Sequence, residues 1–514
     1  MIGVKSAACL FAVCSTLAYG AQKFDIGGAY AYARDRSADI QVANLRLDTM
    51  INNVKLVEYR YYPDIAISFV PLNWRNLEQK NRAPAKLETT EPFGNVVLKN
   101  HLPTNSDITL RYSNSINSVG KRIEGYSARF DQELLKLDLV DKQMTLAIQR
   151  RELQRVARIS VERNFLNSFR KTYYSYLEAK EGLDVIRAKS KEEEFLRDQS
   201  RRQYQAGIIA EYNLLDYMID FNDSESERII AESGYTQARN NLFGVMQLNF
   251  DDATEFETVS MDEAASMSWN LDEMMKAAIT HSLDLATFRD AIMTSELNLR
   301  YLFDDWLPSI KAYASYENNT EENNYNSLVA ESDNYTLGVQ LTWSIFQETF
   351  ATMGQYKNEK NTQRINELQL DDRMRNYKTR ILNDVSQLER LYADYLISHE
   401  RESLAKRDFD LSNDRMKTGT ISAWDMIRTK NRYFAAIRRT IQRKYAFLRH
   451  VSDMLNVYPI DDALSLKYAK LSSREYFIEQ SKKVDEQNKQ KSEKPAAEEK
   501  TPERPTVALK PNYN

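Results

Sequence analysis

The sequence is poor in the residues that break or cross-link a chain. Of 514 residues, 11 are proline, 14 glycine and two cysteine. Cys9 and Cys14 both fall in the first 20 residues, so the rest of the chain has no thiol for disulfides or metal thiolates. After prolines at 63, 71, 84, 92, 103, 308 and 459, the remaining four lie in the C-terminal tail, which leaves 104–307 and 309–458 free of proline. Helices can run far there, because nothing removes an amide donor or collides with the preceding turn. Beyond residue 20 no run of 18 apolar residues exists, which excludes a membrane-spanning helix. It does not exclude strands that close into a barrel. A net charge of −4 gives no basic surface for nucleic acid. Phosphate-binding glycine loops, zinc spacings and nucleophile elbows are absent, so an enzymatic reading has no motif behind it. His101, His281, His399 and His450 are far apart in sequence, and no metal or cofactor is expected.

The two ends differ in kind from the middle. Lys5, the apolar run from Ala7 to Ala18 and the small residues Ala18 and Gly20 predict a secretory signal peptide over 1–20. Acylation at Cys14 would need a small residue in place of Val13 and a longer leader. From Lys482 the chain is charged and rich in proline, so 484–514 are expected to be a disordered tail after a C-terminal segment over 461–483.

Between the ends the chain repeats itself. Residues 26–63 align without a gap on 271–308, a shift of 308 − 63 = 245, which pairs Ser37 with Ser282, Asp39 with Asp284 and Pro63 with Pro308. QYQAGIIAEYNLLDYMI aligns on RMKTGTISAWDMIRTKN at a shift of 419 − 207 = 212. The two halves, 21–270 and 271–460, share one plan, and 245 − 212 = 33 residues are extra in the first. Helical periodicity runs from about Leu135 to Tyr204 and from about Glu348 to Met416, each roughly 100 Å as a helix. Gly207 and Gly419 follow as hairpin tips. The return helices, about 214–243 and 424–455, end at Gly244 and Asn456, residue types that tolerate a left-handed cap. Each is too short to retrace its long partner, and the helix opening each repeat supplies the missing length.

Next to Pro308 the period changes to two. Tyr335, Leu337, Val339, Leu341, Trp343 and Ile345 alternate with small or polar residues, and Ile310, Ala312, Ala314 and Tyr316 do so before them. This is a hairpin of bilayer-spanning length whose apolar row faces lipid, with Tyr335 and Trp343 at the aromatic edges. In the first half DIAISFV follows Pro63, and Tyr126 to Gln132 alternate before the long helix. The charged, proline-containing stretch from Trp74 to Gly125 between them holds the 33 extra residues and a second possible strand pair, NVVLK and DITLRYS, and is read as a long exposed loop or hairpin extension. The chain thus counts four barrel strands. Four strands cannot satisfy their edges in lipid, so the chain must oligomerise.

The order of helix, Trp-Leu-Pro, strand hairpin, long helix, glycine tip and return helix, found twice, resembles the TolC-type outer-membrane efflux proteins. The segments that carry it are FDIGGAYAYARDRSADIQVA, LDEMMKAAITHSLDLATF, WLPSIKAYASY, QAGIIAEYNLLD and KTGTISAWDMI. The resemblance implies a mainly α fold with a membrane β-barrel portion: a homotrimer whose duplicated long helical hairpins form a periplasmic tunnel below a 12-stranded barrel, four strands per protomer. It implies a passive exit duct in the outer membrane for a tripartite efflux or type I secretion system. The partners would be a periplasmic adaptor and an inner-membrane transporter of RND, ABC or MFS type. A periplasmic or surface coiled-coil scaffold is the alternative.

Carried onto matching positions, the resemblance makes Ala206, Gly207, Ile208, Thr418, Gly419 and Thr420 adaptor-facing, although any hairpin needs a glycine there. It makes Asp425 a pore-facing residue, three copies of which form a carboxylate ring. Locally, Ser422 to Asp425 has capping-box spacing instead. Arg428 stands where the family often has a second aspartate and Asn213 at the equivalent of Asp425, with Asp216 three further on. Asp425, Arg428, Asn213 and Asp216 are therefore the candidate gate, and an Asp216–Arg428 pair between hairpins is one way to close it.

Overall fold

A computed structural model describes residues 22–70, 74–77, 87–90, 93–116, 121–249, 254–259, 271–304, 306–323, 329–343, 347–418, 420–421 and 423–459. Its elements in chain order are β1 (Gln22–Phe24), α1 (Ile26–Arg36), α2 (Ala38–Glu58), a 3₁₀ turn (Tyr59–Tyr61), β2 (Asp64–Val70), β3 (Trp74–Leu77) and β4 (Leu87–Thr90). Then come β5 (Phe93–Leu102), β6 (Ser106–Ile116), β7 (Lys121–Glu133), α3 (Leu139–Gln205), α4 (Glu211–Met246) and β8 (Thr254–Phe256). The second half follows with α5 (Leu271–His281), α6 (Leu283–Asp304), β9 (Ser309–Asn323), β10 (Val329–Thr342), α7 (Gln347–Lys417) and α8 (Ala423–Val457). The leader, Cys14, Gly419, Ser422, Ile345 and everything from 460 onward lie outside the described residues.

The two long helices α3 and α7 have 67 and 71 residues, about 100 and 107 Å at 1.5 Å per residue. Each is covered by its return helix toward the tip and by the opening helices toward the sheet: α4 and α2 on α3, α8 and α6 on α7. The opening segment of each repeat is not one helix but two, broken at the aligned serines Ser37 and Ser282. At the second break the Ser282 hydroxyl accepts from the Leu285 amide, 3.3 Å, which caps the new helix. Asp25 and Asp138 cap α1 and α3, accepting from the Gly28 and Val140 amides at 2.9 and 2.8 Å.

The return helices end later than the glycine and asparagine predict. Phe243 and Met246 are fully buried and hold the end of α4 in the core, so the helix passes Gly244. The left-handed residue is Gln247 (φ 54°, ψ 40°), whose side-chain amide donates to the Arg36 carbonyl, 3.0 Å. Asn456 stays helical inside α8 and donates to the Asn164 side chain, 3.0 Å. The core lies where these ends meet: Phe169, Tyr173 and Leu177 of α3 pack with Leu242 and Phe243 of α4 and Tyr445 and Leu448 of α8. Between them runs the parallel pair β1–β8, in which Phe24 faces Phe256.

The largest sheet corrects the strand count. Among the described residues it has six strands in the order β10-β9-β7-β6-β5-β2, all antiparallel, where the sequence counted four. NVVLK and DITLRYS belong to β5 and β6, which sit between β2 and β7 and are not an exposed loop. A separate short pair, β3–β4, takes up part of the segment between β2 and β5.

Candidate functional site

The register of the six strands lines up one apolar face across the whole sheet. Leu337 of β10 lies opposite Ala314 of β9, Ala314 opposite Phe130 of β7, and Phe130 opposite Ile108 of β6. One step outward, Leu110 faces Ala128 on one side and Leu98 of β5 on the other, and Leu98 faces Ile65 of β2. The row is bare: Leu337 is 89% exposed, Tyr335 79%, Ile67 75% and Val339 70%. Leu341 and Trp343 continue it toward the helices. Aromatic pairs mark its far end, Tyr112 with Tyr126 (ring centroids 5.0 Å apart) and Tyr316 with Tyr335 (4.9 Å). The alternate positions carry most of the polar side chains, among them Ser68, Lys99, Arg111, Arg129, Lys311 and Gln340, with Ala66 and Val97 as exceptions. Gly338 sits on that polar face beneath the Tyr313 ring, where an added Cβ would lie 2.5 Å from the ring carbon Cζ.

At the helix end of the sheet the junctions are tied down. Pro63 and Pro308 each precede a strand that starts at the next residue, where the lost amide is outside the ladder. The β5–β6 turn uses Asn105 at φ 58°, and its side chain donates to the Lys136 carbonyl, 2.8 Å. His101 bridges Asp107 (2.7 Å) and the helix-capping Asp138 (3.1 Å), which also accepts from the Tyr61 hydroxyl (3.1 Å). The inserted strands are thereby anchored to the start of α3.

At the opposite end Gly207 takes φ 68°, a conformation open to glycine at little cost. Its amide donates to the Tyr204 carbonyl (2.9 Å) and the Ile208 amide to the Gln203 carbonyl (2.9 Å), the paired bonds of a Schellman cap. The second tip repeats the longer bond, from the Thr420 amide to the Arg415 carbonyl, 2.9 Å. Ala206, Ile208, Thr418 and Thr420 are all exposed. So are Tyr212 and Trp424, one on each return helix near its tip, which the sequence reading did not single out. Arg428 pairs with Asp425 on its own helix at 3.7 Å; within one chain this is the local pair, not a bridge to Asp216. Asn213 and Asp216 lie in the first two turns of α4 and are half-buried.

A buried charge cluster joins the two hairpins behind the tips. Lys430 of α8 and Glu193 of α3 approach to 2.5 Å with side chains 0% and 1% exposed. Lys430 Nζ, both Glu193 oxygens and Asp220 Oδ2 of α4 have no hydrogen-bond partner of good geometry among the described residues. The Asp220 carboxyl is pushed above the ordinary range, first by burial and then by the Glu193 charge, with Lys430 opposing. These residues are far apart in sequence and come together only when three helices pack, so no local signal marks them. Beside them lies a cavity of about 730 Å³ lined by Lys189, Asp223, Arg401 and Arg439.

Among the described residues no group of three or more His, Cys, Asp or Glu is placed to hold a metal, and no helix is long and apolar enough to cross a membrane. No protein-family model matches the sequence, and no curated protein matches it. Solved structures do. The outer membrane protein VceC from Vibrio cholerae is 10% identical with a TM-score of 0.62, covering 84% of this chain and 95% of that one. The Campylobacter jejuni CmeC outer membrane channel is 11% identical with a TM-score of 0.60, covering 87% and 89%. The open state of the Neisseria gonorrhoeae MtrE outer membrane channel is 13% identical with a TM-score of 0.58, covering 84% and 88%. At these identities the likeness concerns the backbone and its arrangement. The fold of this protein is that of the outer-membrane channel proteins, the TolC-type architecture that its repeat resembles.

Proposed function

We propose that this protein is an outer-membrane channel, a passive exit duct for an efflux or type I secretion system. Three copies join their sheets into a barrel in the bilayer, and their helices continue it as a tunnel through the periplasm. The observation that carries this reading is the apolar row across all six strands. It is too broad and too exposed for a water-facing surface, and it is backed by a polar face suited to a lumen. The polar alternation, and edges at β2 and β10 that have no partner strand among the described residues, favour a barrel over a coiled-coil scaffold.

In this reading the tips, Ala206 to Ile208 and Thr418 to Thr420, meet a periplasmic adaptor. The adaptor in turn binds an inner-membrane transporter of RND, ABC or MFS type that supplies the energy. Asp425, Arg428, Asn213 and Asp216 ring the narrow periplasmic end. The test is reconstitution of the purified protein into planar bilayers: discrete conductance steps are expected from a detergent-stable trimer. A soluble, nonconducting monomer would reject the proposal.

A further inference from the structure

We infer that β5 and β6 enlarge the membrane pore, so that three copies close an eighteen-stranded barrel rather than the twelve-stranded one that four strands per chain would give. The inference rests on the trimeric channel proposed above and adds the wall that such a trimer builds.

The hairpin is part of the ladder. It pairs with β2 over seven residues, from Asp64–Lys99 to Val70–Phe93, and with β7 over eleven, from Ser106–Gln132 to Ile116–Arg122. It also keeps the two-faced chemistry of its neighbours: Val96, Leu98, Leu110 and Tyr112 continue the apolar row, while Lys99 and Arg111 lie on the polar face. A loop laid over a finished wall would not share that alternation with the strands on both sides. Its inner turn reaches the sheet–helix junction, where His101 and Asn105 fasten it to Asp138 and Lys136.

The topology admits the insertion without penalty. An added pair of strands leaves β2 and β10 at the edges and running in opposite directions, so β10 of one copy meets β2 of the next antiparallel. Those edges must be paired, because unpaired amides and carbonyls are not tolerated in hydrocarbon. Six strands are also fewer than the eight of the smallest known membrane barrels. The second half of the repeat contributes one hairpin to the wall and the first half two, so the extra sequence of the first half includes the added hairpin over 93–116. Barrel diameter grows about linearly with strand number, so the pore would be about 1.5 times as wide as a twelve-stranded one.

The test is electron cryomicroscopy of the full-length protein in lipid nanodiscs, beside a variant lacking residues 93–116. In that variant β2 and β7 can pair directly, since they too run antiparallel. Eighteen strands in the parent and twelve in the variant, with barrel circumference falling to about two-thirds and the trimer retained, are expected. A parent barrel of twelve strands overturns the inference, whether three copies exclude the hairpin or two copies close the wall. A parent with twelve strands that still conducts would leave the channel function standing, whereas a parent with neither barrel nor conductance would remove that function first. Should the deletion variant fail to assemble, the strand count of the parent alone decides.

Discussion

Lys430 and Glu193 are a buried pair whose geometry brings the charges together without good hydrogen-bond angles. Removing one partner leaves an uncompensated charge in the packing between hairpins. Lys430→Met alone is expected to cost about 3–5 kcal/mol, and the double change Lys430→Met with Glu193→Leu to recover most of it. Thermal unfolding of the detergent-solubilised protein measures both; equal losses in the single and double variants would show that the pair is not the source. Asp220 beside them gives a pH signature. Its folded carboxyl is raised above the ordinary value of 3.8, so the stability it contributes is full below that value and is lost as pH rises through the raised one. Asp220→Asn should therefore gain on the parent as pH is raised from about 4 to 7, and a constant difference across that range would count against the burial argument. The cluster was illegible in the sequence because nothing local relates positions 193, 220 and 430.

At the level of elements, the long helices and the paired strands follow from short-range pattern, while their ends do not. The left-handed cap at Gln247 was set by the burial of Phe243 and Met246 and the bond to the Arg36 carbonyl, whereas the break at Ser282 has a local cap. Strand chemistry is testable face by face. Leu337→Arg puts a cation on the apolar row of β10 and is expected to destabilise the inserted sheet by about 2–4 kcal/mol, whereas Thr336→Arg, on the polar face, should change little. Urea unfolding in lipid vesicles distinguishes them, and similar losses at both positions would mean that the apolar row does not face lipid. The β5–β6 strands had a visible signal, since Ile108, Leu110 and Tyr112 alternate with Asp107, Thr109 and Arg111. Alternation cannot say which sheet a hairpin joins or between which strands, and so the segment read equally well as an extension beyond the wall.

In the trimer proposed above, the tips and the wall are the two places where a prediction concerns several copies at once. Asp425 and Arg428 lie 3.7 Å apart near the tip of one chain, so the proposed ring of three such pairs would be close to neutral. Arg428→Asp would make it strongly acidic. Ion selectivity measured by reversal potential should then shift toward cations, and block by divalent cations on the tip side should appear. Unchanged selectivity would place the narrowest part of the path elsewhere.

The sequence by itself determined the duplicated plan, the long proline-free helices, the glycine tip at Gly207 and the two-faced strands, because each is a periodicity or a backbone preference carried by neighbouring residues. Only the tertiary structure decided that six strands share one sheet, that β5 and β6 lie between β2 and β7, and that Lys430 is buried against Glu193. Those facts depend on which distant segments pair, and pairing is settled by register, edge satisfaction and packing between elements, none of which a single stretch of chain encodes.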